Sequence, residues 1–294
     1  TQHGKKQFIL YGEVEDKEKK ISIGVKNGLG GFEGKVNGKN VRGISSLIET
    51  IPVQIIDPEV HNLVSGGPER RRQYIDWVTF HVEHGYLSLW RRYKRTLKQR
   101  NAALKSKSKR PLVQSWDKEF IELAFSIDNA RKKALELIMV NFKRLGKKII
   151  GLDFSFNYYE GWSSKKDLKK ALDDTFERDI FLGATQNGPH RADLKIDLSN
   201  KQARKLVSRG QQKLLASAMI LAATKTVQGT LNKPLLLLLD DPAAELDLES
   251  VSRLMESVSS LGCQIVATSI NPGVVQFPDN PKMFHVEQGS ISLL

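Results

Sequence analysis

Two adjacent carboxylates, Asp240 and Asp241, directly follow a run of five leucines at positions 235–239. A short, wholly apolar run of this kind is typical of a buried strand in a parallel sheet. In doubly wound α/β sheets, ligands bind at the carboxyl ends of the strands. There, Asp240 could hold Mg²⁺ through its oxygens, and Asp241 could polarise a water molecule beside a γ-phosphate. A core strand that merely ends in an acidic turn is the alternative.

An anion-binding helix start is predicted upstream of the leucines. Ser208 is a good N-cap residue, and apolar residues continue after it at helical spacing, namely Leu214, Leu215, Ala218 and Leu221. A Ser-x-Gly-Gln turn at such a start directs backbone N–H groups and the positive end of the helix dipole toward an anion. Gly210 and Gln211 therefore join Ser208 as candidate phosphate-binding residues.

A turn, a helix and a second strand are predicted after the carboxylates. Glu245 and Asp247 lie in a short acidic turn. The helix after this turn has an apolar stripe formed by Leu248, Val251, Leu254, Met255 and Val258. Residues 263–269 predict another buried strand, which ends in the hydroxyls of Thr268 and Ser269. Each signal is weak alone, but their order matches the C-terminal half of an ABC-type ATPase head.

The composition narrows the class of protein. A chain of 294 residues is long enough for about two domains. The net charge of +13 favours a polyanionic partner, most often nucleic acid, over a basic protein that is merely soluble. Cys263 is the only cysteine, so no disulfide can form within the chain and a reducing cytoplasm is expected. No signal peptide or membrane-spanning segment is predicted.

Residues 86–146 predict two antiparallel helices that form an arm outside the sheet. One face of the first helix carries Leu89, Tyr93 and Leu97. The second helix has a longer apolar stripe, and it is expected to end at Gly146. A later segment, 165–178, predicts one further amphipathic helix, and residues 154–158 and 194–198 alternate as strands.

A basic run lies on the arm. Between Arg91 and Arg110 there are ten basic residues and no acidic one. Such a run is usually a solvated face, but in a chain that is already basic, contact with a phosphate backbone is the better interpretation. The residues expected to face DNA are Arg92, Arg95 and Lys98.

The segment before the arm adds more candidates. The first 60 residues predict short strands, with a charged hairpin tip from Glu13 to Lys20. In the strand predicted at 51–57, Gln54 is either a metal- or water-contacting glutamine or only a strand residue.

The helix predicted to begin at Pro68 carries three arginines that oppose its dipole. These arginines should meet phosphates or pair with acids elsewhere, and they are Arg70, Arg71 and Arg72.

The loop before the second alternating strand contains His190. No cysteine or histidine stands at ligand spacing from it, so a packing or phosphate-facing role is favoured over metal binding.

A set of longer motifs extends over nearly the whole chain. They are Gln54-Ile-Ile-Asp-Pro-Glu59, Gly66-Gly-Pro-Glu-Arg-Arg-Arg72, Leu97-Lys-Gln-Arg-Asn-Ala-Ala-Leu104, Gly188-Pro-His-Arg-Ala-Asp193, Ser208-Arg-Gly-Gln211, Asp240-Asp241 through Glu245-Leu-Asp247, and Met283-Phe-His-Val-Glu-Gln-Gly289. In these motifs the chain resembles the RecF family of bacterial DNA replication and repair proteins. The resemblance implies an α/β fold: an ABC/SMC-type ATPase head, made of a β-rich lobe and a parallel-sheet lobe, with an inserted helical arm domain. The implied divisions are 1–80 and 183–294 for the head and 81–182 for the arm.

The resemblance also implies a site that binds ATP and Mg²⁺ between two heads. Asp240 would hold Mg²⁺, and Asp241 would stand at the position of the catalytic carboxylate. The implied ligands for the γ-phosphate held by the opposite subunit are Ser208, Gly210 and Gln211. The other implied contacts, near Mg²⁺ and across the two heads, involve Gln54, Glu245 and Asp247.

For function, the resemblance implies ATP-dependent DNA binding at gaps, as a head-to-head homodimer that acts with RecO and RecR in repair and the SOS response.

The sequence departs from the family pattern at three places. The 294 residues contain no Gly-x-x-x-x-Gly-Lys-Ser/Thr loop, which the family carries on a segment that would precede Thr1. Ala244 stands where the family usually has serine, and no histidine follows the strand that ends at Thr268. We therefore expect these residues alone to bind ATP weakly.

Two other functions stay open at this level. The chain could be a DNA-binding scaffold without ATP turnover, or a basic protein that binds only acidic partners. A salt-titrated DNA-binding assay separates the last of these, because phosphate-dominated DNA binding weakens steeply with salt.

Overall fold

The computed structural model describes residues 6–16, 19–41, 43–163, 167–233, 235–271, 273–275, 277 and 281–294. The strands are β1 (Gln7–Asp16), β2 (Lys19–Gly28), β3 (Gly31–Val36), β4 (Lys39–Val41), β5 (Val53–Ile56), β6 (Phe154–Tyr159), β7 (Asp193–Leu198), β8 (Lys201–Gln202), β9 (Leu236–Asp240), β10 (Gln264–Thr268), β11 (Phe284–Glu287) and β12 (Ser290–Leu293). The helices are α1 (Ile44–Thr50), α2 (Asn62–Ser65), α3 (Pro68–Val82), α4 (Tyr86–Lys105), α5 (Arg110–Gln114), α6 (Asp117–Ile150), α7 (Leu168–Asp174), α8 (Phe176–Leu182), α9 (Arg209–Leu231) and α10 (Leu248–Ser259).

The leucine run forms β9, the central strand of a parallel sheet in the order β10–β9–β5. Leu237 and Leu239 are buried in the core. The register pairs Asp240 with Thr268, and Ile56 with Leu239. The carboxyl ends of all three strands therefore meet at one edge of the sheet, where the sequence predicts a ligand.

The core of the head is built around α9, which packs against α3, α6 and β5. Its predicted apolar residues, Leu214, Leu215, Ala218 and Leu221, are all buried. Helix α9 is long and apolar enough to cross a membrane, but most of its apolar stretch is buried inside the protein, as in an ordinary core helix. The length and composition of α9 are thus explained by its place in the core.

The first four strands form an antiparallel sheet in chain order. The β1–β2 pairing continues to Asp16 and Lys19, so the predicted hairpin tip from Glu13 to Lys20 is too long. Cross-strand pairing extends the strands, and an ion pair of 2.8 Å joins Glu15 to Lys20. Residues 17 and 18 lie outside the described part of the chain.

The arm consists mainly of α4 and the first half of α6, which run antiparallel and share the hydrophobic cluster around Tyr93 and Phe120. Helix α6 does not end at Gly146, as the sequence predicts, but at Ile150, where Gly151 has a positive φ of 73°. A side chain at 146 would press on the Phe142 ring, so that glycine serves close packing rather than termination. The second half of α6 belongs to the core of the head.

The single helix predicted at 165–178 is instead two helices, α7 and α8, separated at Thr175. The side-chain amide of Asn187 donates to the Ala171 carbonyl at 3.1 Å and to Thr175 Oγ1 at 2.9 Å. The Ala171 carbonyl also accepts from the Thr175 N–H at 3.2 Å and the Thr175 hydroxyl at 3.0 Å, so Asn187 adds to a set of hydrogen bonds around the break. Residues 164–166 lie outside the described ranges.

Candidate functional site

The two carboxylates occupy the edge where the three parallel strands end. Asp240 is exposed, and its Oδ1 accepts a hydrogen bond of 2.6 Å from the Thr268 hydroxyl. The Asp241 N–H donates to the Thr268 carbonyl at 3.2 Å, and Asp241 has a left-handed φ of 44°. Neighbouring strand ends are thereby tied together, and Asp241 begins a sharp turn that leaves both carboxylates at the surface.

The start of α9 lies beside this turn. Ser208 and Gln211 form a reciprocal capping box: Gln211 N–H donates to Ser208 Oγ at 3.3 Å, and Ser208 N–H donates to Gln211 Oε1 at 2.9 Å. A Cβ at position 210 would lie 3.2 Å from the Glu245 carbonyl, which explains why glycine stands there. The exposed Arg209 and Glu245 also form an ion pair of 3.0 Å. The predicted phosphate-binding residues are therefore brought together with the acidic turn.

A buried lysine, which the sequence analysis missed, joins the same two elements. Lys213 lies one turn into α9 and is 1 % exposed. Its Nζ donates to the Ala244 carbonyl at 2.7 Å. Burial lowers the pKa of Lys213, while the carboxylates of Glu245, Asp241 and Asp57 act in the opposite direction. The only signal in the sequence was a lysine on the apolar side of a core helix, directly before Leu214.

Gln54 is not at the edge. It is a buried residue of β5 and pairs with Leu237 of β9. Gln54 lies three positions before Asp57, which is about 10 Å along the strand at 3.3 Å per residue. Gln54 is therefore a strand residue, as one of the two interpretations predicts, and its contact with Mg²⁺ or water stays a prediction. Asp57 directly follows the last residue of β5.

Asp247 caps the next helix. It is the N-cap residue of α10, and its carboxylate accepts from the Ser250 N–H and the Ser250 hydroxyl, both at 2.8 Å. These hydrogen bonds lower the pKa of Asp247. The next residue, Leu248, is 73 % exposed and so does not belong to the buried stripe predicted for α10. Acidic and apolar side chains thus stand side by side on the surface near the carboxylate edge.

The three arginines of α3 separate into different roles. Arg71 is buried and binds Asp193 through Nε at 2.7 Å and a terminal nitrogen at 3.2 Å. Its assignment to DNA is wrong, because a buried, paired guanidinium cannot reach a phosphate. Arg72 is half-buried and donates to the Ala192 carbonyl at 2.9 Å, whereas Arg70 is exposed.

The basic run of α4 presents most of its charges to solvent. Arg92, Arg95 and Lys98 are all exposed, and Tyr93 between them is buried. Arg92 makes an ion pair of 3.1 Å with Glu119, but exposed pairs of this kind contribute little and are easily exchanged. The face predicted for DNA is therefore accessible.

Arg100, in the same run, is fully buried and not part of that face. It donates to Asp117 at 2.9 Å, to Asp179 at 3.1 Å and to the Thr185 hydroxyl at 2.8 Å. Burial raises the pKa of Asp179, and the Arg100 charge opposes that rise. The basic run therefore contains one structural cation that pins α4 to α8.

His190 packs in the interior between the arm and the loop that carries it. The Tyr93 hydroxyl lies 2.6 Å from Nδ1, and Nε2 lies 2.9 Å from the Thr185 carbonyl. A carbonyl can only accept, so Nε2 carries the proton and Nδ1 accepts from Tyr93. Burial lowers the pKa of His190 to about 4, which keeps the ring neutral, and the packing role is confirmed. Within the described residues, no group of three or more His, Cys, Asp or Glu could hold a metal ion by itself.

Replacing Lys213 with methionine should loosen the acidic turn while leaving the head folded. The Ala244 carbonyl would lose a charged donor, and such a bond contributes about 1.5–3 kcal/mol. The amides of Ala244 and Leu246, which bond within the turn at 3.1 and 3.2 Å, should exchange with deuterium about tenfold faster. Hydrogen exchange followed by NMR or mass spectrometry measures this. The matched control is Lys225→Met on the same helix, and equal exchange in both variants would contradict the role of Lys213.

Comparison with known proteins agrees with this architecture. A sequence model of the RecF/RecN/SMC N terminal domain matches residues 3–292. The chain is 34 % identical over 293 residues to the DNA replication and repair protein RecF of Shewanella frigidimarina, covering 98 % of this chain and 81 % of that protein. The RecF of Cellvibrio japonicus is 35 % identical over 300 residues and is covered to 82 %.

Solved structures share the fold. The recombination mediator protein RecF with ATP, in the RecFOR pathway, superposes with a TM-score of 0.86 at 23 % identity, over 99 % of this chain and 81 % of that one. An SMC head bound to the C-terminal winged-helix domain of ScpA superposes with a TM-score of 0.53 at 14 % identity, over 98 % of this chain and 73 % of that one. The predicted α/β head of ABC/SMC type is confirmed. The chain belongs to the RecF family of DNA replication and repair proteins.

Proposed function

We propose that this chain forms the head and arm of an ATP-dependent DNA-binding protein of replication and recombinational repair. It binds DNA at gaps as a head-to-head homodimer closed around Mg-ATP, and it supports the SOS response. One observation carries the proposal: Asp240 and Asp241 share an exposed edge with the capped start of α9. The acidic strand end and the capped helix start, which we assign to the nucleotide, thus lie close together, and this supports the proposal.

The residues at the edge fit a magnesium nucleotide. Asp240 and the Thr268 hydroxyl offer hard oxygens that lie 2.6 Å apart. Mg²⁺ is usually bound by only one or two carboxylates, with water and substrate phosphates completing the shell, so one acidic ligand suffices. When bound, Mg²⁺ would neutralise phosphate charge. Asp241 would orient the attacking water.

The other proposed nucleotide contacts are assigned from their places at the start of α9 and in the acidic turn. Ser208, Gly210 and Gln211 at the start of α9 would bind the γ-phosphate held by the second head. Backbone N–H groups and the helix dipole favour an anion there. Glu245 and Asp247, both exposed beside this start, would contact the second head.

The arm supplies the proposed DNA surface. Arg92, Arg95 and Lys98 form an exposed basic face, and Arg70 is a second exposed cation near the half-buried Arg72. The solved relative named above belongs to the RecFOR pathway, and we extend this to RecO and RecR as partners. A cytoplasmic location is also proposed, since the single Cys263 cannot form a disulfide within the chain.

Asp240→Asn should abolish ATP turnover in a polypeptide in which a phosphate-loop segment precedes residue 1. The change removes the charge of the proposed Mg²⁺ ligand but keeps its shape, and a loss of electrostatic stabilisation of this kind costs on the order of 10²-fold or more in rate. Steady-state phosphate release measures it, with a melting curve as the control for folding. Hydrolysis within a few-fold of the parent would contradict the assignment of Asp240.

A second function has its own support. The 294 residues contain no phosphate-loop sequence, and backbone amides and a lysine of such a loop cradle the β- and γ-phosphates in these enzymes. The chain by itself would then be a DNA-binding scaffold without ATP turnover. DNA binding of residues 1–294 that is unaffected by Mg-ATP favours the scaffold, and tightening by Mg-ATP excludes it.

A further inference from the structure

An exposed aromatic residue stands at the far end of the arm. This arm tip, formed by residues 104–114 and 176–183, has its own small core of Leu104, Val113 and Phe176. Phe181 lies outside that core with 86 % of its side chain exposed, more than any other aromatic residue in the described chain. The neighbouring Leu182 is 48 % exposed. Both apolar side chains are therefore available for contact with a partner.

The helix that carries the ring is held in place by its neighbours. The end of α8 lies against α4, because a Cβ on Gly183 would be 2.9 Å from Lys105 Cγ. Behind Phe181, Ile180 packs on the arm-tip core, and Asp179 is bonded to the buried Arg100 at 3.1 Å. The ring is therefore presented on a rigid support, as a binding contact requires.

The surroundings are basic. Lys105, Lys107 and Lys109 are exposed in the turn that closes α4, and no ion pair between described residues involves them. The turn is ordered by hydrogen bonds of 3.0 Å from the N–H groups of Lys107 and Ser108 to carbonyls of α4. On α8 itself, the negative charge of the exposed Glu177 is balanced by the positive charge of its neighbour Arg178. The arm tip thus combines one flat apolar face with three unpaired cations.

We propose that Phe181 is a stacking platform for an unpaired nucleobase, with Lys105, Lys107 and Lys109 on the flanking phosphates. Duplex phosphates need only cations, so an exposed ring adds nothing to their binding. An unpaired base offers a π-face, and aromatic rings in positively charged grooves bind single strands in this way. The inference rests on the proposed DNA binding by the arm. It assigns the tip to the unpaired strand and the side of α4 to the duplex.

Fluorescence anisotropy with three labelled DNAs of equal length tests this: a blunt duplex, a duplex with an internal gap, and a single strand. Phe181→Ala should weaken binding to the gapped and single-stranded DNAs about tenfold, because stacking contributes about 1–3 kcal/mol per base. Binding to the blunt duplex should not change. Phe181→Trp should retain binding, and Phe181→Leu, which is apolar but has no π-face, should lose it.

Phe284→Ala is the matched control, since Phe284 is another exposed aromatic residue, at 56 %, in the distant β11. A Phe181→Ala variant that binds all three DNAs like the parent, or weakens all three equally, overturns the stacking role. Wild-type affinity in Phe181→Leu also overturns it, and points to a protein partner at the tip. If the parent chain binds none of the three DNAs, the proposed DNA binding itself fails, which is a distinguishable result.

Discussion

Reversing Arg92, Arg95 and Lys98 to glutamate together should weaken binding to every DNA sequence alike. The three side chains are exposed on one helix, and contacts to the phosphate backbone carry little sequence information. Each lost contact lowers the slope of log K against log salt by about 0.9. A loss of three contacts should therefore flatten that slope by about three and reduce affinity on the order of 10²-fold at 0.1 M salt. Anisotropy titrations at several salt concentrations on unrelated duplexes measure both.

The matched control reverses three exposed cations at the head end of α6, Lys143, Arg144 and Lys147. It changes the net charge by the same amount, so it separates a local contact from a general effect of charge. Equal losses in the two variants would show that the arm is not the DNA surface. Arg70 and Arg72 would then be the next residues to reverse.

Asp76→Ala should destabilise the protein by about 3–5 kcal/mol, as expected when one partner of a buried ion pair is removed. The carboxylate of Asp76 accepts from Arg131 at 2.8 and 3.0 Å and from the Tyr86 hydroxyl at 2.5 Å. Arg131 is fully buried and would keep its bond to the Pro189 carbonyl, at 2.8 Å, and its contact with the Trp90 ring, but no carboxylate partner among those shown here. Urea unfolding followed by circular dichroism measures the loss.

Glu119→Ala is the control for this prediction, because its pair with Arg92 is exposed on both sides and should contribute about 1 kcal/mol or less. The double variant Asp76→Leu with Arg131→Met removes both charges. It should be more stable than Asp76→Ala alone, since the main cost is an uncompensated buried charge. Similar free energies of unfolding for Asp76→Ala and Glu119→Ala would refute the structural role of the pair.

Local patterns predicted the carboxylate edge well. The leucine run predicts a buried strand, which is β9, and Ser208 with Gln211 is a capping pair whose two members are three residues apart. Such features depend on neighbours in the sequence, so the sequence alone is enough to find them.

The burial of two arginines could not be predicted, because their acidic partners are far away in the sequence. Arg71 and Asp193 are 122 positions apart, and Arg100 and Asp179 are 79 apart, so nothing near either arginine marks it as buried. The place of Gln54 inside β5, which ends at Ile56, is hard to predict for a related reason. The end of a strand within a sheet is set by its register with neighbouring strands, here Leu236 to Leu239 of β9, and not by its own composition.

The unbroken course of α6 has a mechanical consequence. Its 34 residues make a rod about 51 Å long, packed in the head at one end and against α4 and α5 of the arm at the other. A rod of this kind has no joint, so a force applied to the arm is delivered as torque at its end in the head. There it packs against α9, whose start contacts the acidic turn at Ala244 and Glu245. If the arm binds DNA as proposed, a load on the arm would therefore reach the carboxylate edge as strain, without any loop or hinge to relay it.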